Sequence, residues 1–211
     1  MSSSPTPDII DLLTRAEAGS FIDRLRAERP ETRANAQKSY LALFEPVSED
    51  AVTRAERLAV AAFVAGLHQA GAAGEFYAAG LADLNGGASL AAAVKTEIAR
   101  GAARGPYGRY PPGPLSVEDN DGLVFAVSDF SRAVLGAKLS AGLEHAHLLV
   151  YRPREASPDA LQKLLDAGWS TTGIVTLSQL VAFLSFQIRV VAGLSALGAA
   201  GEGSLSRAAA E

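Results

Sequence analysis

Few side chains in this 211-residue chain are of a type and spacing that could do chemistry. Glu56 lies in an apolar helical run, "ERLAVAAFVA", beside Arg54 and Arg57. It reads either as a helix charge in an ion pair or as a general acid/base facing a pocket. His68 falls near the end of that run, where the helix dipole favours a protonated imidazole. It reads as a terminal cap or as a proton shuttle. Tyr77, in the next helical stretch with Glu75, offers a hydroxyl to a pocket or fills a core or interface position. The tetrad "EHAH" places His145 and His147 beside Glu144. An extended backbone would turn both imidazoles to one face and suit a metal. The surrounding pattern is helical and turns them apart, so no metal site is expected.

Further along, Ser178, Ser185 and Arg189 recur at i, i+7 and i+11, with Gln179 and Gln187 nearby. A polar stripe on an apolar helix needs partners, because each unpaired buried group costs about 1–3 kcal/mol. The stripe reads as an intersubunit hydrogen-bond network, or as the wall of a cavity in which Gln179 and Arg189 hold a small anionic ligand. Other constellations are absent. The chain has no cysteine, which removes thiol nucleophiles, thiolate metal sites and disulfides together. "GPYGRYPPG" lacks the strand–loop–helix setting of a phosphate loop, and there is no GxSxG elbow. No cofactor is implied.

The elements that must position these residues are helices. Apolar residues recur at i, i+3 and i+4, strand alternation is absent, and the fold expected is all-α with seven or eight helices. Pro30 opens one helix. Ser48 is a plausible N-cap for the Glu56 helix, with acids in its first turn. "LVFAVSDFSRAVLGAKL" and "SAGLEHAHLLVY" read as two helical stretches. "SPDALQKLLDAG" has a full set of signals: Ser157 as N-cap, Pro158 in the first turn, Gly168 as the stop. Arg104–Gly122, dense in Pro and Gly, reads as a connector, a functional loop, or an arm lying on a neighbouring subunit. The segment from Ala167 to Ile188 has no charge and is long enough to span a bilayer. Its serines, threonines and glutamines favour a central buried helix, surrounded by other helices or by another subunit.

The bulk numbers agree with a soluble protein. Nineteen basic and 23 acidic residues give a net charge of −4, without the basic excess of a nucleic-acid binder. "MSSSPTPD" lacks the basic and apolar regions of a signal peptide and reads as a frayed tail. A cytoplasmic location without membrane insertion is the expectation.

"ERLAVAAFVAGLH", followed by a shorter helix and then by "LQKLLDAGWSTTGIVTLSQLVAFLSFQIRVVAGL", resembles the carboxymuconolactone decarboxylase and alkylhydroperoxidase D-like superfamily, in its peroxidase-related branch. The likeness covers about residues 44–198. It leaves residues 1–43 as a helical extension and 199–211 as a flexible tail. It implies an intertwined homo-oligomer (dimer, trimer or hexamer) and a relay glutamate at Glu56. The redox members carry a cysteine pair and a histidine about twelve residues further on. Those positions hold His68, Gly71 and Glu75 here or, with two extra residues, Ala70, Ala73 and Tyr77. Thiol peroxide reduction is therefore excluded, while decarboxylase members of the superfamily also lack the pair. Three functions follow as expectations. The first is a redox-inactive protein binding a small molecule or partner. The second is a cysteine-independent lyase or isomerase using Glu56 and His68, with Arg189 holding a carboxylate. The third is a structural oligomer built on its long C-terminal helix.

Overall fold

The computed structural model describes residues 7–208, with side chains up to residue 201. Nine α-helices and no strand occur among the described residues: α1 (Ile9–Thr14), α2 (Phe21–Ala27), α3 (Pro30–Phe44), α4 (Arg54–Leu67), α5 (Gly71–Ala82), α6 (Gly87–Gly101), α7 (Asp129–Tyr151), α8 (Pro158–Asp166) and α9 (Thr171–Ala208). The protein is all-α, as expected. The frayed-tail reading of the N-terminus falls in large part on residues 1–6, outside the described residues. Of the tail expected at 199–211, residues 209–211 also lie outside, but the backbone is helical through Ala208.

α9 is the spine. At 1.5 Å per residue its 38 residues extend about 57 Å, and it packs against α1, α2, α3, α4, α7 and α8. One face of it is buried through Ile174, Leu177, Leu180, Val181, Leu184, Gln187 and Ile188. The other face is open in this chain, with Phe186 43 % exposed and Val175 and Leu197 also outside the core. Helices of the same chain therefore cover one side of α9. Thr171–Gly201 is apolar and long enough to cross a membrane, and 33 % of its most apolar stretch is buried within the bundle.

The extension at 1–43 belongs to the same body, because α1, α2 and α3 each pack on α9 and the core runs from Ile9 in α1 to Val191 in α9. An ionic network fastens it. Arg26, buried in α2, pairs with Asp8 and Asp11, and Arg33 pairs with Asp11 and with Asp23 at 2.9 Å. Asp8 is also the N-cap of α1, accepting hydrogen bonds from the backbone N–H groups of Ile10 and Asp11.

Two helix starts differ from expectation. Ser48 is not the N-cap of α4; its hydroxyl donates to Asp50. The helix begins five residues later, at a capping box. The Thr53 hydroxyl accepts from the Glu56 N–H, and the Glu56 carboxylate accepts from the Thr53 N–H. The segment from Leu123 is not helical until Ser128, whose hydroxyl caps α7. The two stretches expected there form one helix with a break at Gly136, where φ is +76° and a side chain would be strained. α8 starts and stops as its signals require.

Residues 104–122 fold back on their own chain. Gly108 and Asn120 exchange backbone hydrogen bonds, Tyr107 N–H donates to the Tyr151 carbonyl at 2.6 Å, and Arg154 lies over the Tyr110 ring at 4.2 Å. This loop covers the end of α7.

Candidate functional site

Outside the "EHAH" tetrad, the residues that sequence reasoning singled out do not converge. Glu56 and His68 lie at opposite ends of the unbroken helix α4. Twelve residues of α-helix separate them by about 18 Å, too far for a proton relay. Both Glu56 oxygens are occupied: one closes the capping box, and the other pairs with Lys138 of α7 at 2.8 Å. Lys138 in turn lies 4.9 Å from the centroid of the Trp169 ring, and the Trp169 indole N–H donates to the Lys138 carbonyl. Glu56 therefore ties the start of α4 to α7 and to the approach to α9.

His68 is the C-cap residue of α4. The dipole argument predicts a protonated ring, but burial and the positive charge of Arg189 hold its pKa below the ordinary histidine value. Tyr77 is fully buried, stacks on Phe44 at 5.0 Å and donates its hydroxyl to Gln187 Oε1 at 2.7 Å. Burial drives its pKa far above the ordinary range, so it is a permanent donor. The polar stripe on α9 is satisfied largely by its own helix. Ser178 donates to the Ile174 carbonyl and Arg189 to the Ser185 carbonyl. Gln179 is exposed, in a shallow groove between α3 and α9, and Arg189 borders none of the four main cavities.

The arrangement with open chemistry lies elsewhere. α7, the 124–125 segment and α8 line a cavity of about 280 Å³. Phe125, Ala141, Leu148, Ala160 and Leu164 supply apolar wall, and Glu144, His145, His147, Arg152, Glu155, Asp159 and Lys163 supply the polar groups. Most of the latter are committed. Glu144 accepts from Arg132 at 2.6 Å and from the Val127 N–H at 3.0 Å. Arg152 holds Glu155 through two bonds of 2.6 and 2.8 Å, and this keeps the Glu155 pKa below the carboxylate range. His147 Nε2 bonds the Gly101 carbonyl at 3.0 Å while its ring stacks on Phe125 at 4.7 Å.

His145 is different. It is 6 % exposed, and no hydrogen bond reaches it among the described residues. The sealed, unpartnered side-chain atoms are His68 Nε2, Ser131 Oγ and Gln187 Nε2. The ring nitrogens of His145 are not among them, and the residue lines the cavity. Burial lowers its pKa, so the ring presents one donor and one acceptor without charge. Among the described residues no three His, Cys, Asp or Glu side chains are placed to hold a metal ion. "EHAH" is thus a cavity wall.

Sequence reasoning also missed Glu97, fully buried on α6. Burial raises its pKa, but hydrogen bonds from Ser128 and the charge of Arg100 outweigh that and hold it low. Its bond from the Ser128 hydroxyl, at 2.6 Å, locks α6 to the start of α7.

No family model, curated protein or solved structure matches the chain.

Proposed function

We propose that this protein binds a small molecule in the α7–α8 cavity and performs no thiol chemistry. One observation carries the reading: His145 is more than nine-tenths buried, unpartnered, and part of the wall of a cavity with apolar sides. Leaving a buried polar group unsatisfied costs about 1–3 kcal/mol, and a ligand that bonds it recovers that cost on binding. Cavities of this make-up, largely apolar with a few convergent polar groups, are the ordinary form of a small-molecule site.

The resemblance supports the same reading from another side. The positions it assigns to a cysteine pair fall at the turn into α5 and its first helical turn, where a helix N-terminus would favour a thiolate. They hold His68 and Gly71, or Ala70 and Ala73, instead. A chain that kept this helix pair without sulfur is a binding protein in our reading. The lyase alternative has less support, because Glu56 is spent on its cap and on Lys138.

The test is a fragment screen by NMR on the wild-type protein and on Ala160→Phe, which plugs the cavity from the half-exposed face of α8. Bound fragments should shift the His145 ring signals and the α7–α8 amides, and the plug should abolish them. Fragments that bind only elsewhere, or that ignore the plug, overturn the proposal.

A further inference from the structure

We infer that the ligand of the α7–α8 cavity is uncharged: a compact molecule with an apolar body and one hydrogen-bonding head for His145. This rests on the binding reading above and goes beyond it by fixing the ligand's charge.

The first argument is charge matching. Each ionised group set into the cavity wall already has its counter-ion: Glu144 has Arg132, and Arg152 has Glu155. Two charges remain, Lys163 and Asp159. Both are exposed on α8 one turn apart, opposite in sign and in no ion pair, so they cancel at the rim under water's screening. A charged ligand would lose hydration on entry and meet no uncommitted opposite charge inside, a cost that geometry cannot offset.

A second argument concerns the N-terminus of α8, which borders the cavity and would ordinarily attract an anion. Here its donors are largely used. Pro158 has no N–H, Ala160 N–H is capped by the Ser157 hydroxyl, and Leu161 N–H bonds the Ser157 carbonyl. What remains for a ligand is the imidazole of His145, one donor and one acceptor on a single ring, among Phe125, Leu148 and Leu164. A volume near 280 Å³ sits at the small end of ligand cavities and suits one ring with one polar substituent.

The test uses three probes of nearly one shape and three charges: benzamide, benzoate and benzamidinium. Each is titrated into wild type and Ala160→Phe while the His145 ring signals are followed by NMR. Benzamide should bind wild type at least about tenfold more tightly than either ion and should lose that binding in the plugged variant. Tighter binding of benzoate or benzamidinium at His145 overturns the charge assignment and leaves the cavity reading standing. If none of the three moves the His145 signals at millimolar concentration, the cavity reading falls and this inference falls with it. His145→Gln keeps a hydrogen-bonding side chain at this position. It should retain part of the benzamide affinity; retention of all of it overturns the role given to His145.

Discussion

Two of the regions that hold buried polar side chains hold them differently. Around α4, α5 and α9 those groups are fixed by their neighbours: Glu56 by its cap and Lys138, Tyr77 by Gln187, and Arg57 by the carbonyls of Val52 and Leu43. The exceptions there, His68 Nε2 and Gln187 Nε2, are sealed from solvent. On the wall of the α7–α8 cavity the one buried side chain without a partner, His145, borders space a molecule can occupy. An orphan polar group marks a site only where something can reach it. A sealed orphan is a cost the fold carries.

This contrast predicts that substitutions in the first region act on stability and those in the second on binding. The largest effect is expected at Tyr77. Tyr77→Ala removes a fully buried ring and should cost about 3–5 kcal/mol in urea unfolding followed by Trp169 fluorescence. Tyr77→Phe should cost about 1–3 kcal/mol, because it strips the remaining bond from the buried Gln187 amide. A loss of ligand binding with unchanged stability would reverse the assignment of this region.

Acid comes next. Burial lowers the pKa of His68, His145 and His147 below the ordinary histidine value. The unfolded chain therefore takes up protons first as pH falls. Stability should be full above about pH 6.5 and decline below it, by up to about 1.4 kcal/mol per pH unit for each histidine. Unfolding curves between pH 7.5 and 5.5 check this; a flat profile would mean the imidazoles are not held neutral.

Smaller again is Glu56→Gln, which should cost about 1 kcal/mol through its cap and ion pair and leave fragment binding unchanged. Any loss of binding would return Glu56 to a functional role. The smallest stability effect is expected for His145→Gln, less than about 1 kcal/mol because no bond is broken, together with weaker binding of the neutral probe.

How legible all this is in the sequence depends on how local each signal is. α8 is fully written in Ser157, Pro158 and Gly168, because caps and stops act within a turn. The start of α4 is harder. Ser48 and Thr53 both precede acids, and the reciprocal bonding of Thr53 with Glu56 decides between them. Of the site, only the "EHAH" tetrad is legible, and the cavity it lines is not. His145 meets α8 because the chain turns after Tyr151 through a 3₁₀ turn at Pro153–Glu155, and Tyr77 meets Gln187 across 110 residues. Neither approach has a periodicity. The resemblance drew attention to Glu56 and His68 by their spacing along the chain, while the unbroken α4 sets them a helix-length apart.

The length and place of α9 also bear on how the chain is made. It follows, in order of synthesis, every helix on which it packs: α1, α2, α3, α4, α7 and α8. A ribosome thus emits the earlier helices with their apolar faces unpaired, since the strut they share has yet to be translated. Nascent copies should depend on chaperones until that strut emerges, and stalled fragments ending before Thr171 should aggregate.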